Sequence, residues 1–427
     1  MTSMTSQMWA TLKSKFRNAL NRQRQFEVVL VKPVNPNTNT GDKNYIEPEH
    51  LKNFRAIWSL IDKMAYMVGV SAIRDENINA RMVIAALLIF VTHLLLLYTK
   101  IFVWPSIPLE LEVFCIYGVL TPATLKFKLI LRDIKRAIPM NLFFENILIG
   151  NPIGRRSDDL DREMNDAYNK VKIFVIASVL LFAVFVLHPI HAYITDGRLI
   201  PAMRIELPLV DQTEMGGYLF GVAYMMLIGI LGVFGNVAFD VAVLTLLMEF
   251  KSLITLLEHD LDEYHEFSKE VETHSTQYKD SYLKNICKKY NDIDRYLRCF
   301  ESTFGNIMYH SICILYGSLI CAVYATLHNG WISGYPVCHF FFIQLYVQCI
   351  LGTFVDIQID RMSQAFYLTP WNEYPVRVQK IFLLLIHASS FNAVKLRIGP
   401  FAPLDVQTGV VITKSIFSYY TAISSLT

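Results

Sequence analysis

Charge is what this sequence has least of. Asp, Glu, Lys and Arg make up 18% of its 427 residues, where an ordinary soluble domain carries about 25%. The charges that remain are gathered into a few blocks between long apolar stretches, the distribution expected of a chain that crosses lipid. With 53% hydrophobic residues, 13% aromatics and a mean hydropathy of +0.34, the chain is too apolar for a soluble protein of this size. Paired cysteine motifs are also missing. The seven cysteines, Cys115, Cys287, Cys299, Cys313, Cys321, Cys338 and Cys349, include no CxxC. Neither a disulfide framework nor a zinc site is supported, and they read as packing residues. There is no P-loop, no HExxH and no GxSxG, so no enzyme and no cofactor is expected. His188 and His191 lack a nearby carboxylate or third ligand and read as helix-end packing around Pro189 rather than half a zinc site. A net charge of +2 without a basic, aromatic-interleaved cluster gives no case for nucleic acid. The first 30 residues hold Lys13, Lys15, Arg17, Arg22 and Arg24 with no apolar core, so no cleavable signal peptide is expected and the first span must direct insertion.

What is there is a series of apolar runs. A spanning helix needs about 20 mostly apolar residues, and seven stretches qualify: Met82 to Trp104, Leu109 to Leu131, Val171 to Ile194, Gly217 to Met248, Thr303 to Leu327, Val337 to Ile357 and Val406 to Leu426. The predicted fold class is an all-α membrane protein with seven transmembrane helices. Direction follows from Lys and Arg. Twelve precede the first span, 10 lie between and at the facing ends of the second and third, 8 between the fourth and fifth, and 5 between the sixth and seventh. The alternate connections hold only Lys100, Arg198 and Arg204, and Lys414 lies inside the last span. The basic side is the cytoplasmic one, which puts the N-terminus in the cytoplasm and the C-terminus outside. G-protein-coupled receptors thread the other way and carry a cytoplasmic tail. Here the sequence ends at Thr427, beside the last span, so no such tail is expected.

Between the spans, residues 33 to 44 look like a flexible linker, rich in Pro, Asn and Thr. His50 to Val70 carries Leu51, Phe54, Ile57, Trp58, Ile61, Met64 and Met67 at helical spacing. That amphipathic helix either lies on or re-enters the membrane, or docks on the cytoplasmic side of the bundle. The block from Lys251 to Arg298 is polar and helix-prone. Its two flanking spans are expected to run past the bilayer and pair, with Glu258, Asp260, Asp262 and Glu263 on a solvated face rather than at a metal. Asp240 and Lys414 are the ionisable residues deepest in apolar sequence. They face either the bundle interior or a cytoplasmic vestibule. Gly229, Gly232 and Gly235 allow a close helix approach.

The C-terminal third is more specific. The stretch 342–352, FIQLYVQCILG, resembles the sixth helix of insect odorant receptors. Residues 365–375, AFYLTPWNEYP, resemble that family's Y-x-S/T-P-W-Y-E-x-P motif, and 379–387, QKIFLLLIH, is similar to the apolar helix after it. Gly399 to Leu404, GPFAPL, precedes a last helix whose KSIFSYYTAISS (414–425) is similar to the family's K-T-S-Y-S-Y-x-x-L-L-x-S ending. The resemblance is strong from about residue 280 onward and topological before it. Gln407 and Gly409 depart from the glutamate and aromatic that usually open the last helix. The T-Y-x5-Q-F ending of the related gustatory receptors is absent, as is the co-receptor's insertion before the fifth helix, so the resemblance is to an odorant-tuning subunit.

What this resemblance implies is an odorant-gated, non-selective cation channel, a tetramer with the shared co-receptor in the plasma membrane of olfactory sensory neurons. The alternatives are a gustatory-type ligand-gated channel and a seven-helix receptor without its own pore. The implied division is a cytoplasmic N-terminal segment with the amphipathic helix (1–81), spans one to four with the ligand pocket (82–250), a cytoplasmic helical anchor (251–302), and spans five to seven with an anchor segment and the pore helix (303–427). Matching the last helix by its Ser-Tyr pair puts pore and gate at Ser418, Ala422 and Leu426, and the W-x-x-Y of the short motif puts Trp371 and Tyr374 in the subunit anchor. The implied pocket for a small, volatile, apolar odorant lies in the outer half of spans two, three, four and six. By orientation and chemistry its candidates are Phe114 and Tyr117, Phe182 and Phe185, Tyr218, Tyr224 and Met225, and Phe341, Phe342 and Tyr346. Aromatic and Met side chains suit such ligands, although each residue taken singly is equally at home in plain packing.

Overall fold

A computed structural model describes residues 47–70, 80–103, 107–150, 154–197, 205–208, 210–269, 276–328, 330–331, 334–391, 395–399 and 401–425. Nine α-helices carry this part of the chain. They are α1 (Glu49–Met67), α2 (Ala80–Val103), α3 (Ile107–Ile149), α4 (Arg155–Asp196), α5 (Met215–Lys269), α6 (Thr276–Leu327), α7 (Gly334–Leu368), α8 (Val376–Phe391) and α9 (Val406–Ser424). Each of the seven expected spans falls on one helix, α2 to α7 and α9. Five, those on α2, α4, α5, α6 and α7, are long and apolar enough to cross a membrane on length and composition. The other two are more polar: α3 carries Glu110, Glu112, Lys126 and Lys128, and α9 carries Lys414 with six Ser and Thr. The lipid-facing surfaces are legible as stripes. Val83, Leu87, Phe90, Leu94, Leu97 and Ile101 of α2 are exposed at helical spacing, as are Ile173, Ile176, Leu180, Val184 and Leu187 of α4. Lipid is the solvent that makes such a stripe stable.

Helix length decides where the core sits. The 55 residues of α5 extend about 80 Å at 1.5 Å per residue, against a hydrocarbon core of about 30 Å. Both α5 and α6 therefore run well beyond the bilayer, and the largest buried cluster lies along their extensions with α1, α3, α4, α7 and α8. Phe300 and Phe304 of α6 meet there as tilted rings at 5.0 Å between centroids, and Tyr290 meets Phe366 of α7 edge-on at 5.6 Å. The amphipathic helix packs against the bundle. Leu51, Phe54, Ile57, Trp58 and Ile61 of α1 are buried against α4 and α5, and the Trp58 indole donates to the buried Glu249 carboxylate at 3.1 Å. Tyr296 donates to the other oxygen of that group at 2.8 Å.

The acidic block after Lys251 is only in part a solvated face: Asp262 is exposed as expected, whereas the other acids meet bases of other helices. Asp260 is buried and ion-paired with Arg156 at 2.7 Å and with Lys289, and Arg156 also holds Glu263 at 2.7 Å. Arg361 of α7 donates to Glu258 at 2.8 Å. The acids read as solvent-facing because their partners are distant in sequence. The short motif forms the joint between α7 and α8, with a single 3-10 turn at Trp371–Glu373. A two-residue hairpin, β1 (Arg397–Ile398) with β2 (Ala402–Pro403), then leads into α9. Gly352 of α7 is needed at that point: a Cβ there would lie 1.8 Å from the Leu404 carbonyl oxygen, so only glycine lets the chain entering α9 lie against α7.

Candidate functional site

A cavity of about 270 Å³ lies between α2, α3, α4, α5 and α7. Each helix offers one face at three- and four-residue spacing. From α2 come Ala85, Ile89 and Thr92, and from α3 Ile116, Leu120 and Phe127. Phe174, Ser178 and Phe182 line it from α4, and Val337, Phe340 and Gln344 from α7. The face of α5 is opened by its glycines. A Cβ on Gly229 would press on the Phe182 ring at 2.8 Å, whereas one on Gly232 would meet nothing within 4 Å. Gly229 thus seats the α4 ring and Gly232 leaves free volume, which ties the glycine series to the cavity as well as to packing.

The polar groups at this site are few and committed. The Thr92 hydroxyl donates to Leu88 O at 2.7 Å and lies 2.9 Å from the Tyr224 hydroxyl. Ser178 donates to Phe174 O at 2.8 Å, and the Asn236 amide donates to Gly232 O at 2.9 Å. Next to the cavity Lys126 of α3 and Asp240 of α5, both buried, pair at 2.6 Å, and Gln344 donates to the second Asp240 oxygen at 3.0 Å. The Lys126 ammonium also sits 5.1 Å from the centre of the Phe239 ring. Asp240 therefore faces the bundle interior, and its partner, Lys126, was hidden in the second apolar run.

Of the pocket candidates, the structure brings Phe182 and Met225 to the cavity wall. Tyr224 reaches it through its bond to Thr92. Tyr117 packs beside it against His93, with 6.4 Å between ring centroids, while Phe114 is exposed on the outer face of α3 and Tyr218 is buried at the start of α5. Phe341, Phe342 and Tyr346 point off the opposite sides of α7. Phe341 is buried with α3 and α6 residues, Phe342 stacks on Phe417 of α9 at 6.5 Å, and the Tyr346 hydroxyl meets Thr413 of α9 at 3.1 Å. Phe185 lies on α4, and Leu426 lies outside the described residues. The cavity residues that sequence reasoning passed over are Asn236 and Gln344. The signal available was an amide inside an apolar run, which is costly unless it serves a partner.

Helix α9 is held by α6 and α7 along one side and starts at a good cap, where Asp405 accepts from the Thr408 backbone N–H at 2.6 Å. Its far side carries Lys414, Ser418, Thr421 and Ser425, spaced by three or four residues and exposed, with Ala422 beside them. Gly409, where the resemblance led to an aromatic, lets α9 approach Cys349 of α7: a Cβ would lie 3.1 Å from its sulfur. Gln407 is exposed. In the α7–α8 joint, Tyr374 is buried within its own chain, its hydroxyl 3.1 Å from His265 Nδ1 and its ring 5.4 Å from Tyr264. Burial raises this phenol above its usual value, so it stays a neutral hydroxyl. Trp371 is half-buried.

The family described as 7tm Odorant receptor matches this chain over residues 106–417. Among solved structures, the insect olfactory receptor OR5 from Machilis hrabei in complex with eugenol superposes with a TM-score of 0.69 at 13% identity, covering 88% of this chain and 100% of that one. A second structure of the same OR5 receptor gives a TM-score of 0.67 at 14% identity with the same coverage. Identities this low speak for the fold alone.

Proposed function

This chain belongs to the 7tm Odorant receptor family, and from that premise we propose that it is an odorant-tuning subunit whose cavity binds a small, volatile, apolar odorant and gates a non-selective cation path. The channel is a tetramer with the shared co-receptor, in the plasma membrane of olfactory sensory neurons. The observation that carries this reading is the apolar cavity walled by α2, α3, α4, α5 and α7 with the end of α1. At about 270 Å³ it falls just below the range of roughly 300–1,000 Å³ common for drug-sized ligands, which suits a smaller molecule. OR5, a protein of the same fold, forms a complex with eugenol, a precedent for a small organic ligand.

The threading that fits has the N-terminus in the cytoplasm, because that arrangement leaves only Lys100, Arg198 and Arg204 outside. The extensions of α5, α6 and α7, with α8, then form a cytoplasmic anchor in which Trp371 offers a partly open ring to a neighbour while Tyr374 stabilises the joint. The stripe of Lys414, Ser418, Thr421 and Ser425 on α9 has no place against hydrocarbon. A central water-filled pore shared with other subunits gives it one, with Ala422 and Leu426 as the constriction. The coupling element is α7. One side of it, Phe340 and Gln344, walls the cavity, and another, Phe342 and Tyr346, touches α9. Ligand shifts the closed–open balance by the difference in its affinity for the two arrangements.

The test is Gly232→Leu, a substitution that grows into open space rather than into a neighbour. Co-expressed with the co-receptor in oocytes and screened with a broad volatile panel, the variant should reach the surface like the parent. It should lose at least roughly tenfold in sensitivity to every active odorant, since overfilling a site costs about 1–3 kcal/mol. Undiminished responses would mean that the odorant binds elsewhere.

A further inference from the structure

The polar groups of the cavity are one-sided. Hydroxyl protons at Thr92 and Ser178 are used by backbone carbonyls of their own helices. The two amides are oriented by what they bond. Only an NH₂ can pair with the Asp240 carboxylate, and only an NH₂ can pair with Gly232 O, so the nitrogen and oxygen of Gln344 and of Asn236 are assigned by chemistry. Each nitrogen is turned to its protein acceptor, which leaves the carbonyl oxygen as the other end. Both side chains are more than nine-tenths buried and both line the cavity. Neither Gln344 Oε1 nor Asn236 Oδ1 receives a hydrogen bond from any described group, and neither is sealed away from the cavity space. The Lys126–Asp240 pair keeps Gln344 in this pose: the carboxylate cannot swing away without stranding the buried ammonium.

We propose that these two carbonyl oxygens select odorants that donate a hydrogen bond, making the preferred ligand class small apolar molecules with a hydroxyl, alcohols or phenols, over ethers and hydrocarbons of the same size. The proposal rests on the cavity being the odorant site and adds to it the chemistry of the ligand's polar end. A hydroxyl docked against an acceptor with no other partner satisfies two groups at once. An ether oxygen there would face lone pairs, and a hydrocarbon would leave the acceptors dry and unpaired, the situation in which a site built for a polar group rejects an analogue lacking it.

The experiment uses two size-matched series on the full chain with its co-receptor: 1-octanol, 1-methoxyheptane and nonane, and 4-propylphenol, 4-ethylanisole and 4-propyltoluene. In at least one series the alcohol or phenol should act at a roughly 3- to 10-fold lower half-maximal concentration than its ether, the span expected of one neutral hydrogen bond. In Asn236→Leu and, separately, Gln344→Met, that ratio should fall toward unity. Asn236→Leu disturbs no charged partner, so it decides the matter if Gln344→Met fails to reach the surface. Equal potency of alcohol and ether in the parent, a ratio unchanged in both variants, or silence toward all six compounds overturns the proposal. Gly232→Leu run alongside separates the two levels. If it removes every response while alcohol and ether remain equal in the parent, the cavity is the site and only the donor preference is wrong. If it removes none, the site assignment fails and the proposal with it.

Discussion

At the scale of single residues, the most consequential contact is the one between Lys126 and Asp240. A buried ion pair contributes little net stability, but removing one partner costs about 3–5 kcal/mol because the other charge is left unpaired in a low-dielectric interior. Lys126→Met should therefore sharply reduce the amount of receptor that leaves the endoplasmic reticulum and elutes as a single species. Lys126→Met with Asp240→Leu should recover a substantial part of it. A single variant that expresses like the parent would show that the pair is solvated. Asp240 stands out in the sequence as a lone acid in an apolar run, whereas Lys126 is masked by Lys128 and the basic connection that follows. The two are 114 positions apart, and nothing local links them.

At the scale of elements, helices are legible and their rotation is not. All seven spans appear where apolar runs of about 20 residues require them, and α1 shows its buried face directly in its spacing. On α7 large apolar side chains are spread around the helix, so their spacing does not single out one face; the aromatics that chemistry favoured, Phe341, Phe342 and Tyr346, turn toward α6 and α9, and the cavity takes the neighbouring face. The start of α9 is an element-level feature that can be probed alone. Asp405→Ala removes the cap on the Thr408 N–H and should cost about 0.5–2 kcal/mol. Asp405→Ser should restore most of that. The measurement is the thermal midpoint of the purified complex, and an Ala variant that melts with the parent would mean that packing alone positions α9.

At the scale of the whole molecule, threading is the property on which the functional reading depends. The excess of Lys and Arg on alternate connections predicts an outside C-terminus, so an epitope appended after Thr427 should be labelled by antibody on intact cells. Labelling that requires permeabilisation would reverse the threading and place the cavity and the α5–α6 extensions on the wrong sides. The same charges serve a second purpose in the extensions, where Arg156, Lys289 and Arg361 reach Asp260, Glu263 and Glu258 on other helices. A block that reads as merely soluble is in fact a cross-linked assembly of helices.

The sequence alone determined that this protein lives in lipid, how many times it crosses, and which family its C-terminal third resembles. Those properties depend on local composition: hydropathy summed over a helix length, and short motifs at fixed joints. Tertiary structure decided which faces enclose the cavity, which acid meets which base, and where α1 rests. Each of those depends on how helices rotate against one another, and a helix that is apolar all round carries no mark in its own residues of the neighbour it will face.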